Sequence, residues 1–302
     1  MTNLPAGPDI TGAKLFEIFT TNPFPFLREC YEKYGDLFTL QLGNFGVGAY
    51  ETSGAWVFMS HPDHLRALFT ADAVGIRAGA ANDIQFQQIL PPESSVVMDG
   101  PEHLARRRLL SKLVQGEKKI REFTHVIHQI VADEVSRFPS SEAFTMAPVL
   151  RRISNEVMQQ LTFGSLMDDD TAYISARLGQ FGNAGLSRDD KVALVSDCCE
   201  VLDKKINQQA GCPHSESENQ NDIFSLLRNA EELSEADIRA ELLVILLGGT
   251  DTTTTTMSWL LAWILSDKDV YAQVLKEMEH IGDRPLNSDD VDKLSYLEAV
   301  IK

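Results

Sequence analysis

The sequence predicts a mainly α fold with a small N-terminal β-sheet, and three patterns carry that prediction. Two short extended runs lie between about residues 30 and 70. Beyond them the apolar residues recur at helical spacing, and one candidate helix, from about 235 to 266, is much longer than the others.

The first extended run is Leu37 to Leu42, with Phe38, Leu40 and Leu42 on one side. Gly43-Asn44-Phe45-Gly46 then turns the chain towards a second run near Ala55 to Met59, so an antiparallel pair is expected. From Pro62 onward the spacing is helical. Ile120, Phe123, Ile127 and Ile130 share one face, as do Val149, Ile153, Val157 and Leu161. These stripes read as core. A further helical stretch, about Lys191 to Gln209, runs into Gly211-Cys212-Pro213-His214-Ser215-Glu216-Ser217-Glu218-Asn219, whose composition is that of an exposed loop. No internal repeat or linker interrupts the chain. A single domain over 1–302 is expected, β-rich at about 30–70 and helical over about 71–302.

The longest helix begins after Ser234, a suitable N-cap, and at about 1.5 Å per residue it is nearly 50 Å long. Such a rod must cross the molecule. Its apolar segments, Leu242 to Leu247 and Met257 to Leu265, are separated by Gly248-Gly249-Thr250-Asp251 and five consecutive threonines, which argues against a membrane span.

Composition narrows the function classes. With 302 residues and 43% apolar content the chain can bury a large core. A formal charge of −17, from 44 acidic and 27 basic residues, argues against general affinity for nucleic acid or an anionic membrane. Met1-Thr2-Asn3 leads into Leu4-Pro5-Ala6-Gly7-Pro8 without a basic region or a long apolar run, so a cytoplasmic location is expected. Cys30, Cys198, Cys199 and Cys212 have neither metal-site nor disulfide-framework spacing and read as reduced structural thiols. Cys212-Pro213-His214 has no partner ligands at usable spacing, and no metal ligand is expected.

The chemistry is concentrated in the middle of the long helix. Gly248 and Gly249 each cost a helix interior about 1 kcal/mol relative to alanine, and β-branched threonine is also a poor helix former. Local propensity is sacrificed there. Glycine lets a flat ligand approach the helix backbone, and threonine hydroxyls bond back to the preceding turn or leave a carbonyl free for water. A groove with movable protons is expected. A second constellation lies about 140 residues upstream, in Gly100-Pro101-Glu102-His103-Leu104-Ala105-Arg106-Arg107-Arg108-Leu109-Leu110, where His103 and Arg107 are four apart on one helical face.

Leu246-Leu247-Gly248-Gly249-Thr250-Asp251-Thr252-Thr253 resembles the distal-helix motif of cytochromes P450, and His103-x-x-x-Arg107 resembles the propionate-binding helix of their soluble bacterial members. Tyr34-Gly35-Asp36 is similar to the family's opening helix and sheet, and Asp292 to Lys302 to the start of its Glu-x-x-Arg helix. The resemblance implies a cytochrome P450 fold and a haem b cofactor. Gly248 and Gly249 would border the oxygen pocket, Asp251 and Thr252 would deliver protons to dioxygen at the iron, and His103 and Arg107 would bind a haem propionate. The implied reaction inserts one oxygen atom of O2 into an apolar substrate. Candidate pocket walls lie between Ile84 and Met98, especially Phe86 and Ile89, together with Val244, Leu247 and Thr252.

The main basic concentration is Arg106, Arg108 and Lys112, followed by Lys118, Lys119 and Arg121. By the same resemblance it would receive an acidic electron donor of ferredoxin or flavodoxin type. The chain departs from the family pattern at its end. Leu294, Leu297 and Ile301 form a rising apolar stripe, and Lys302 follows without a helix stop. The Glu-x-x-Arg pair and the glycine-rich loop carrying the thiolate would come later, and none of the four cysteines sits in such a loop. The expectation is therefore a P450 fold incomplete at its C-terminus, with apolar surface left open along the long helix. Two further readings stay open: an inactive remnant lacking the thiolate, and a helical protein that binds apolar ligands or partners without redox chemistry.

Overall fold

The computed structural model describes residues 4–10, 12–42, 54–71, 76–86, 89–114, 117–164, 167–183, 185–210, 222–279, 281–282, 284 and 286–302. The turn at Gly43–Gly46 and the loop at 211–219, with Cys212, lie outside them. The fold is mainly α with a small two-stranded sheet, and it separates into two compact units.

The first unit comprises residues 1–92 and 96–104. It contains α1 (Gly12–Thr21), α2 (Pro23–Tyr34), β1 (Leu37–Gln41), β2 (Ala55–Met59), α3 (Pro62–Thr70) and α4 (Ala78–Phe86). The strands pair antiparallel, Leu37 opposite Met59 and Gln41 opposite Ala55. Their alternation works as expected on one face: Phe38, Leu40 and Leu42 are buried with Leu15 and Cys30, and Phe38 stacks on Phe58 at 5.4 Å between ring centres. Pro23 starts α2, where a missing N–H costs nothing, and Gly35 ends it at φ +83°. Asp99 accepts hydrogen bonds from the amides of Gly79 (2.8 Å) and Ala80 (2.9 Å), satisfying orphan donors at the start of α4.

The helix α5 (Gly100–Val114) begins in the first unit and continues into the second, which comprises residues 93–95 and 105–302. There follow α6 (Glu117–Ser136), α7 (Met146–Phe163), α8 (Asp169–Leu178), α9 (Arg188–Ala210), α10 (Ile223–Arg228), α11 (Glu235–Ser266), α12 (Lys268–Met278), α13 (Ser288–Val291) and α14 (Ser295–Ile301). The stripe on α7 buries Val149 and Ile153 against Ile130 of α6, and Val157 packs on the edge of that cluster. On α6, Ile130 is buried, Phe123 half-buried and Ile127 exposed, and the side chain of Ile120 lies outside those described.

The rod expected from about 235 to 266 is α11, and Ser234 caps it. The Ser234 hydroxyl accepts from the Asp237 amide, and the Asp237 carboxylate accepts from the Ser234 amide and hydroxyl. α11 packs chiefly on α7, with α9 and α10 also against it. Ile238, Leu242, Leu243 and Leu246 are its core residues. Among the described residues no helix is long and apolar enough to cross a membrane.

Candidate functional site

The middle of α11 is where hydroxyls replace apolar packing. Thr250, Thr252, Thr254, Thr256 and Ser258 each donate a side-chain hydrogen bond to the carbonyl four residues earlier, at 3.2, 2.5, 2.8, 2.9 and 2.7 Å. These five hydroxyl protons are therefore parked on the helix's own backbone. Thr250 and Thr254 do this inside the protein, while Thr252 and Thr256 do it on the exposed face. The acceptor of the Thr252 hydroxyl is the carbonyl of Gly248, so two of the predicted residues are joined across one turn.

The two glycines differ. A Cβ on Gly248 would meet nothing within 4 Å, whereas one on Gly249 would strike the sulfur and terminal methyl of Met158. Gly248 keeps the exposed face of the helix bare, and Gly249 lets α7 approach from the other side. Below Gly249 the Ser154 hydroxyl lies 3.4 Å from its carbonyl and 3.3 Å from that of Thr250.

Asp251 is anchored from α7. Its Oδ1 accepts from Arg151 Nη1 at 2.6 Å, and the same nitrogen donates to the Gly179 carbonyl at 3.3 Å. The other oxygen, Oδ2, lies so close to Gly182 that a Cβ there would fall 2.6 Å away. A carboxylate at the exposed edge of a helix is thus held by one cation and a glycine turn. The sequence placed Asp251 and Thr252 in the site and missed Arg151, Ser154, Met158 and Gly182. No local signal marked them: Ser154 sits among Arg151, Arg152, Asn155 and Glu156, so its polarity does not stand out in the sequence.

The other predicted residues lie as follows. His103 is half-buried and Arg107 exposed, both on α5. Phe86 ends α4 and Ile89 follows it, both half-buried in the first unit. Val244 and Leu247 are half-buried on α11. Arg106 corrects one expectation: it is not part of an exposed basic patch. Its side chain is 11% exposed and forms ion pairs with Asp237 (2.5 Å) and Glu241 (3.0 Å). Arg108 and Lys112 are exposed, and the side chains of Lys118, Lys119 and Arg121 lie outside those described.

The C-terminal half of α11 carries a groove of about 350 Å³, lined by Thr255, Thr256, Trp259, Leu260 and Trp263 together with Val300 and Ile301 of α14. Trp259 and Trp263 are 62% and 67% exposed.

Residues 8–184 and 185–302 match the family described as Cytochrome P450. The chain belongs to the cytochrome P450 family. It is 25% identical over 276 residues to cytochrome P450 135B1 of Mycobacterium tuberculosis (strain ATCC 25618 / H37Rv), which covers 85% of this chain and 56% of that relative. With cytochrome P450 135A1 of the same strain it shares 22% identity over 319 residues, covering 100% of this chain and 67% of the relative. The solved structure of retinoic acid bound cyanobacterial CYP120A1 superposes with a TM-score of 0.74 at 18% identity, over 99% of this chain and 68% of that one. This P450 chain therefore spans about half to two-thirds of the proteins it matches.

The haem that the family implies can be tested against these residues in two parts. A flat apolar group suits the exposed face of α11, where Gly248 has open space beside it, and an exposed arginine such as Arg107 suits a carboxylate. The described cysteines do not suit the iron. Cys30 and Cys198 are buried, and burial pushes the Cys198 thiol up to about 12 and those of Cys30 and Cys199 upward as well. A thiol held protonated is a poor axial ligand.

Proposed function

We propose that this chain forms the distal side of a haem monooxygenase, the part that receives an apolar substrate and brings protons to it. The observation that carries this reading is the turn from Gly248 to Thr252: bare backbone at Gly248, the Thr252 hydroxyl on the Gly248 carbonyl, and Asp251 held beside them by Arg151. When bound, haem supplies the activation of O2 that no side chain provides.

The residues of this chain have distinct tasks. Arg151 holds Asp251 Oδ1, which leaves Oδ2 to accept a proton from water. The Thr252 hydroxyl donates to the Gly248 carbonyl and its oxygen is able to accept, so a proton arriving at Thr252 moves on as the hydroxyl turns away from the helix. Arg107, with His103 on the same helix, is the proposed partner of a haem propionate. Val244 and Leu247 offer apolar surface to a substrate, as do Phe86 and Ile89 in their own unit. Arg108 and Lys112 remain as exposed cations for an acidic electron donor of ferredoxin or flavodoxin type.

The substrate class is an apolar organic molecule, and retinoic acid, the ligand of the structural neighbour, is a first probe. The test is a titration of the purified chain with haem, followed by the spectrum of its reduced carbonyl form. Haem uptake at one per chain that is weakened severalfold in Arg107→Ala supports the assignment; uptake indifferent to Arg107 and to Gly248→Leu rejects it. In the electron-fed enzyme, Thr252→Ala is expected to divert electrons from product to hydrogen peroxide, and unchanged coupling would remove Thr252 from proton delivery. A second reading, apolar-ligand binding without redox chemistry, is favoured by the protonated, buried cysteines. Retinoic acid binding with no haem uptake would select it.

A further inference from the structure

Glu241 is a carboxylate in the wrong place for a solvated helix face. It is 1% exposed, beside the buried Ile238, Ala240, Leu242 and Leu243, where an unpaired charge would be expelled. Three donors converge on it. The Ser95 amide donates to Oε1 at 2.9 Å, the Ser95 hydroxyl to Oε2 at 2.8 Å, and Arg106 Nη1 to Oε1 at 3.0 Å. Arg106 completes the arrangement by donating to the Glu93 carbonyl at 3.3 Å and to Asp237 Oδ1 at 2.5 Å. One largely covered arginine thus joins two acids one turn apart on α11 and a backbone carbonyl of the loop before α5.

We infer that Arg106 and Glu241 form a charge latch that pins residues 93–95 to the first turns of α11. The pin reaches backbone as well as the Ser95 hydroxyl: a main-chain amide at Ser95 and a main-chain carbonyl at Glu93 are bound, so the latch fixes the path of the chain. Residues 93–95 fall within the stretch from Ile84 to Met98 proposed above as a pocket wall. The bearing of the latch on ligand entry rests on that reading, while the latch itself does not. Arg106 and Glu241 act as positioning residues, since neither is placed against substrate or cofactor.

Because Glu241 is buried among apolar side chains, replacing the pair together separates pinning from general stability. Removing one partner strands the other charge inside the protein, whereas removing both with apolar groups of similar volume leaves only Asp237 without its cation, still held by the Ser234 amide and hydroxyl. The experiment is residue-resolved amide hydrogen exchange on the full chain, comparing the parent with Glu241→Leu and with Arg106→Met/Glu241→Leu. In the double variant, the Ser95 amide is expected to exchange roughly tenfold faster or more, while the amides of Leu242 and Leu243 keep their protection and the thermal midpoint stays near the parent's. Glu241→Leu alone is expected to lower the midpoint as well. Parent-like Ser95 exchange in the double variant would overturn the latch, and that variant carries the test even if Glu241→Leu fails to fold. Apolar-ligand affinity measured on the same double variant then addresses the pocket wall: unchanged affinity with a released Ser95 would remove that wall and leave the latch standing.

Discussion

The two halves of α11 are built on opposite principles. From Ile238 to Leu246 the helix is surrounded: its leucines are buried, and even its acid Glu241 is sealed in by Arg106 and Ser95. From Gly248 to Ser266 the helix presents a bare glycine, self-bonded hydroxyls and two exposed tryptophans. Each half also has an acid held by an arginine from another helix. Arg106 is 11% exposed and Glu241 1%, whereas Arg151 and Asp251 are 45% and 29% exposed. The first half spends its polar groups on fixing structure, and the second, apart from the buried Thr250 and Thr254, keeps them exposed or half-buried.

The sharpest way to break this contrast is to remove each arginine. Arg106→Ala strands a buried carboxylate and is expected to cost about 3–5 kcal/mol, while Arg151→Ala removes an exposed pair and should cost about 1 kcal/mol or less. Chemical unfolding measures both, and equal losses would refute the division. The first half should also be the acid-sensitive one. Burial alone would raise the Asp237 carboxyl, but the Ser234 hydroxyl and amide and the Arg106 guanidinium together hold it below its ordinary value of 3.8. A depressed folded value means that its stabilisation is present above pH 3.8 and lost as pH falls below it. Asp237→Asn should therefore flatten the acid limb of the stability profile.

A comparable loss is expected from packing. Leu243→Ala, at a fully buried position, should cost about 2–5 kcal/mol. The adjacent glycines offer a finer test. Gly248→Ala enters open space and should stabilise the helix by up to about 1 kcal/mol, whereas Gly249→Ala must push Met158 aside and should lose that gain. Thermal midpoints moving together in the two variants would show that α7 does not confine Gly249. The smallest effect belongs to Trp263→Ser, expected within about 0.5 kcal/mol of the parent and with greater solubility, because Trp263 is 67% exposed.

Much of this was legible without coordinates because it is local. The β1–β2 alternation, the Ser234 cap and the extent of α11 follow from side-chain period and capping chemistry, which depend on neighbours within a few residues. Gly248, Gly249 and the threonines could be singled out because they break helix propensity in the middle of a strong helix, and Asp251 and Thr252 through the motif resemblance. The sequence by itself therefore determined the elements, the family resemblance and the helix turn on which the proposed chemistry rests. The tertiary structure alone decided what each charge faces. Arg106, Arg107 and Arg108 are consecutive and chemically alike, yet α5 turns about 100° per residue. Arg106 is thereby turned inward against Asp237 and Glu241, and Arg107 and Arg108 are left outside. The pairing of Asp251 with Arg151, 100 positions away, likewise depends on α7 lying along α11. Such partners are fixed by packing between distant segments, and no local period in the chain records them.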